Sequence, residues 1–291
     1  MSFNVLIRAN NSVLPERIGH LIEATPYELL HYDSLVEANH SASVETIAAA
    51  VSHQSCCILI HFLPDDIQQL NQADIDAAKV FAGLSERLGV PLIQMSHYRV
   101  FAESRSPVSL TEESTPEPDT DLGRQLLQIE QIAATAQQHI IMRLADVIGA
   151  INGSVFERVL PLVKANGRAL LSDCCSGAPV SVDFIAQSLV AIIQQTLCGA
   201  QNWGVFHLRS ADACTEAEIA DYVVRYLNAE TDATVKLPQI SSEASPQIFT
   251  YNAKLTGRRV TDCFGVQFPS WRHGLKKRLA QWLAAEGQQQ V

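Results

Sequence analysis

No apolar run in this 291-residue sequence approaches the roughly 20 residues that a membrane-spanning helix needs; the longest, CCILIHFL at 56–63, stops far short. The opening residues, MSFNVLIRANNSVLP, hold no basic stretch running into an apolar segment and a small-residue cleavage site. A cytoplasmic protein with no membrane association is the expectation. Positive charge is also scarce: 21 Lys and Arg stand against 31 Asp and Glu, a net charge of −10, so a nucleic-acid backbone would be repelled. No CxxC occurs among the seven cysteines, and the adjacent pairs Cys56-Cys57 and Cys174-Cys175 have no histidine at zinc spacing. That predicts reduced, buried thiols and no metal. What the chain does have is apolar substance, 47% hydrophobic residues against 18% charged, which excludes wholesale disorder. Its length fits one large α/β unit with a smaller appended lobe.

Short apolar runs alternate with segments of helical period through the first half, the pattern of βαβ units around a doubly wound parallel sheet. Strands are predicted at Phe3–Ile7, Tyr27–Tyr32, Cys57–Phe62, Pro91–Met95, His139–Leu144 and Val205–Leu208. Helices are predicted at Pro15–Glu23, Val44–Val51, Ile75–Leu88, Leu122–Gln138, Phe156–Lys164, Val182–Leu197, Glu216–Leu227 and Trp271–Ala285. Residues 102–121, with Pro107, Pro116 and Pro118, form a long loop of the kind that usually has a role. The division expected is residues 1–150 as the sheet domain and 151–291 as a smaller C-terminal lobe, interleaved with elements of that domain.

The stretch SHYRVFAESRSPVSLTEESTPEPDTDLGRQLLQIE at 96–130 resembles a signature of the dTDP-4-dehydrorhamnose reductases, matching it at Ser96, Val100, Phe101, Thr111, Glu112, Pro116, Pro118, Gly123 and Glu130. SGAPVSVDFIA, GVFHLRSADACTEAEIADYV and FGVQFPSWRHGLKKRL follow in the family's order, so the resemblance spans the chain. It implies an extended short-chain dehydrogenase/reductase: an NAD(P)-binding Rossmann fold with a C-terminal substrate lobe.

Against that pattern, functional positions are altered. The three glycines that let a pyrophosphate approach the first βα turn are Ala9, Ser12 and Pro15 here; two add a Cβ and the third lacks an N–H. No cofactor is therefore expected. Asp33, after the second strand, stands where an acid could bond a ribose hydroxyl or simply cap a turn. The tyrosine and lysine that supply the proton in such reductases fall on Leu122 and Leu126, and the Ser/Thr of the site falls on His97. No catalytic residue is assigned, His97 being the one candidate acid. The resemblance places ligand contacts at Ser96, His97, Tyr98, Arg99, Arg143, Cys175 and Pro179; Arg143 reads equally as an ion-pair anchor for the sheet. Asp146 replaces an aromatic residue, and Ser245 and Ile248 replace the Arg and Asn that grip the nucleotide-sugar. The function implied is that of a pseudoenzyme, binding a nucleotide-sugar-like metabolite or a partner protein in a regulatory role, with a homodimer as one assembly open to it. The alternatives are an active NAD(P)H-dependent nucleotide-sugar reductase with a rewired site, or another reaction in the same pocket.

Overall fold

The computed structural model describes residues 3–289 except 10–11, 24, 41, 53–54, 104–107, 150–152, 173, 233, 242–244 and 250–252. Its centre is a six-stranded sheet built from β1 (Phe3–Arg8), β2 (Tyr27–His31), β3 (Cys56–His61), β4 (Leu92–His97), β5 (His139–Leu144) and β6 (Gly204–Leu208). The spatial order is β6-β5-β4-β3-β1-β2 and every pairing is parallel. The chain reverses its direction of travel across the sheet at β1, and the crevice beyond the strand ends there is where doubly wound folds place ligands.

Both faces of the sheet are covered, which is why its strands are nearly continuous apolar runs. Val5, Ile7, Ile58, Ile60 and Met95 join a cluster with Ile18 and Ile185 on one face. Leu6, Leu59 and Leu92 alternate onto the other, against Ile47, Val51 and Phe81. The helices supplying these covers are α1 (Leu14–Ile22), α2 (Tyr32–Asn39), α3 (Val44–Ser52), α4 (Gln72–Leu88), α5 (Asp121–Ala133) and, from the second half of the chain, α7 (Val182–Leu197). A separate core lies where α6 (Val155–Lys164), α8 (Glu216–Glu230) and α10 (Trp271–Gln289) meet: Phe156, Val159 and Val163 pack with Ile219, Val223 and the α10 stripe Trp271, Leu275 and Leu279. The short α9 (Arg259–Phe264) lies against the outer strand β6, where Arg259 donates to the carbonyls of Val205 at 3.0 Å and Trp203 at 3.1 Å.

Some elements differ from expectation. Helix α2 occupies a stretch with no periodicity to announce it; Asp33 lies in its first turn and His40 ends it in the left-handed conformation. Helix α5 stops at Ala133, where the Thr135 hydroxyl bonds the Ile132 carbonyl and the chain turns into β5. The 102–121 loop contains a strand, Val108–Leu110, paired with Ala253–Leu255; Pro107 lies outside the described residues. No described helix is long and apolar enough to cross a membrane.

Candidate functional site

A cavity of about 380 Å³ opens at the carboxyl ends of β1, β3, β4 and β5. Ser12 and Leu14 reach it from the first βα turn, Phe62 to Gln68 from the segment after β3, and Ser96, His97 and Arg99 from the end of β4. The lobe closes the far side with Ser154, Arg158 and the segment Pro246 to Phe249. That segment is held by one buried carboxylate: Glu216 Oε1 accepts the backbone N–H of Gln247 at 2.8 Å, of Ile248, and of Phe249 at 2.9 Å.

Asp146 organises the polar floor. Its carboxylate accepts the Tyr98 hydroxyl at 2.8 Å and the Arg158 guanidinium at 2.7 Å. Burial pushes the Asp146 carboxyl up, but Arg158, His97 and Arg99 outweigh it and hold the group below the usual carboxylate range. Burial, reinforced by the neighbouring Arg99 and Arg158, depresses His97 to about 3 against the pull of Asp146. Its imidazole is therefore held in the neutral form at physiological pH, and the one candidate acid of the sequence lines the cavity as a neutral ring.

The seven predicted ligand contacts separate. Ser96, His97 and Arg99 line the cavity; Tyr98, Arg143, Cys175 and Pro179 do not. Arg143 lies in the interior, with Nε and Nη2 donating to the two Glu130 oxygens at 2.9 and 2.7 Å and the guanidinium 5.0 Å from the Phe101 ring. It is the anchor of its two readings. Ser96 donates to the same carboxylate at 2.6 Å, so its hydroxyl is engaged while its flank faces the cavity. Tyr98 is turned inward toward Asp146, and Cys175 packs into the lobe core with Ile248 and Phe249, which form the wall in its place. Pro179 is buried just before Val180, whose N–H bonds the Asp146 carbonyl. The sequence reading missed Arg158 and Asp65; nothing local marks the former, whereas Pro64-Asp65-Asp66 at a strand's carboxyl end was a visible signal.

Asp65 reaches across to the first βα turn. Its Oδ2 accepts the Val13 N–H at 2.9 Å and its carboxyl also bonds the Ser12 side chain. Ser12 N–H closes the turn on the Ala9 carbonyl at 2.8 Å, and Leu14 N–H points to Ser12 Oγ at 3.3 Å. The Ser12, Val13 and Leu14 amides are thus bonded within the chain. Beyond the turn, Arg8 bonds the buried Asp74 and stands 4.0 Å from Asp33, so the acid positioned for a ribose already faces a guanidinium. These residues do not fit a dinucleotide: its pyrophosphate would meet a carboxylate at the place where such folds offer free amides. On α5, Leu126 is fully buried and Leu122 packs against the same core cluster.

The RmlD substrate binding domain model matches residues 65–284 of the chain. A dTDP-4-dehydrorhamnose reductase from Sinorhizobium fredii is 28% identical over 217 residues, 73% of either chain. A dTDP-4-dehydrorhamnose reductase crystal structure from Clostridium acetobutylicum superposes with a TM-score of 0.75 at 18% identity, covering 96% of this chain and 99% of that one. One from Bacillus anthracis, in complex with NADP, superposes at 0.73 and 19% identity over the same shares.

Proposed function

The chain belongs to the RmlD substrate binding domain family, and from that premise we propose that it is a non-catalytic, cytoplasmic member whose cavity binds a nucleotide-sugar-like metabolite in a regulatory role. The observation that carries this reading is the pair Leu122 and Leu126, apolar and packed into the core where the resemblance places tyrosine and lysine. Carbonyl reduction needs a hydride donor held against the carbon and an acid for the nascent alkoxide. Loss of a general acid alone costs roughly 10² to 10⁴ in rate. His97 is a poor replacement: burial holds its imidazole in the neutral form at pH 7, so no imidazolium stands ready to give a proton. The cavity volume supports the same reading. About 380 Å³ falls within the range of a site for one small-molecule ligand.

The relatives named as reductases favour the second reading, an NAD(P)H-dependent reductase with a rewired site. The two part in one assay. Purified protein mixed with dTDP-4-dehydrorhamnose and NADPH is expected to oxidise no cofactor above background. A dTDP-sugar is expected to raise the melting temperature, since saturation at a hundred times Kd adds about 2.7 kcal/mol. The rise should vanish in the His97→Ala, Arg99→Ala double variant. Turnover that requires NADPH and disappears in His97→Ala alone would establish the rewired enzyme and end the non-catalytic reading. A protein partner becomes the better candidate if no sugar nucleotide shifts the melt.

A further inference from the structure

Four of the helices that border the cavity or the lobe cap themselves. Thr120, Ser154, Ser181 and Thr215 each precede a helix and accept one of its first amides through their own hydroxyl oxygen. Helix α1, like α2 and α9, has no such cap: Val13 stands at its cap position with no side-chain acceptor. The acceptor comes instead from Asp65, 52 residues later and on another loop, at 2.9 Å. Burial holds the Asp65 carboxyl above the usual range, while the Ser12 and Val13 donors pull it back. Asp65 also lines the cavity, so its charge faces whatever enters from that side.

We propose that Asp65 is an internal substitute for a cofactor phosphate, occupying the anion-binding end of α1 and restricting the cavity to ligands that bring no phosphate to that end. The proposal rests on the non-catalytic reading and deepens it by giving the ligand an orientation. A nucleotide-sugar's diphosphate, repelled from the α1 side, lies toward Arg99 at the end of β4 and Arg158 on the lobe side, whose guanidinium Asp146 already binds.

Isothermal titration of the full-length protein with ADP, and separately with inorganic pyrophosphate, tests this on four forms: the unmodified chain, Asp65→Ala, Asp65→Asn and Asp66→Ala. Asp65→Ala is expected to bind both probes at least tenfold more tightly than the unmodified chain, because a carboxylate is removed from contact distance of the incoming charge. Asp65→Asn keeps an acceptor for Val13 while removing the charge, and is expected to gain about threefold or more; it carries the test if Asp65→Ala does not fold. Asp66→Ala takes a carboxylate from the same wall but not from α1, and should gain nothing. Equal gains in Asp66→Ala, or no gain in either Asp65 variant, overturn the proposal. Failure of the functional reading looks different: the unmodified chain would then turn over dTDP-4-dehydrorhamnose with NADPH. An inert unmodified chain whose Asp65 variants gain nothing leaves that reading standing and removes this one.

Discussion

At the scale of single residues, the protein keeps imidazoles in its interior without charging them. His61 is fully buried; with Nδ1–H assigned as donor to Gln94 Oε1 at 2.8 Å, its Nε2 is left to accept from Arg8 at 3.3 Å. Burial, against the pull of the Gln94 bond, lowers it to about 4, as burial lowers His97 and His207 to about 3. Histidines depressed in the fold stabilise it above their unfolded value near 6.5. As pH falls below that value the unfolded chain binds protons the folded chain refuses, and stability is lost progressively toward the folded values. The Asp146 contribution is lost only further down, below the usual carboxylate range, and Asp65, raised by burial, acts in the opposite sense. The melting temperature should therefore drop between pH 6.5 and 5, and His61→Gln should flatten that slope; an unchanged slope in the variant would remove His61 from the account. None of this was legible in the sequence, because a histidine's charge depends on its burial. Arg143 makes the same point: its two readings were separable only once Glu130, on a different element, was seen to grip it with both oxygens.

At the scale of elements, α5 shows what the glycine kept from the family's signature does for packing. A Cβ on Gly123 would lie 2.5 Å from the Arg99 carbonyl and 2.6 Å from Pro118 Cβ, so glycine lets the helix head come up against the end of β4. Thr120 Oγ1 then caps the helix through the Gly123 N–H at 3.1 Å. That close approach aligns Glu130, two turns on, with Ser96 and Arg143. The motif here serves packing. Gly123→Ala should cost about 1–3 kcal/mol in urea denaturation through overpacking, and a cost within error of zero would show that the β4 end gives way freely. The large elements were legible because long apolar periods are hard to mistake. Helix α2 was not, and neither were strands of two or three residues such as Val147–Ile148 with Val180–Ser181, too short to carry any period. Their existence depends on tertiary neighbours.

For the whole molecule, the sheet and the lobe are threaded through each other. Outer strand β6 and helix α7 come from the second half of the chain, yet β6 pairs with β5 residue by residue from Gly204 opposite Ile140 to Leu208 opposite Leu144. Helix α7 places Ile185 and Leu189 in the cluster that also holds Ile18 and Ile22 of α1. A fragment ending at residue 150 therefore leaves the outer edge of β5 without its partner and strips α7 from the face it shares with α1. Residues 1–150 expressed alone should bind a hydrophobic dye and melt without a cooperative transition; a sharp melt would show that the first half holds its core unaided. The interleaving itself was foreseeable from the late apolar strand, while the position of the cavity at the β1 reversal required the strand order.

The outer margin at β6 has a further consequence. A parallel sheet that stops leaves a row of backbone acceptors exposed to any other chain in extended form, and such margins are where folded proteins join into aggregates. Arg259 takes the carbonyls of Trp203 and Val205 with separate nitrogens and lays its guanidinium 4.7 Å from the Phe206 ring, so two of the acceptors at this margin are already bonded. One arginine from a six-residue helix thus occupies two acceptors at the margin where the sheet would otherwise grow.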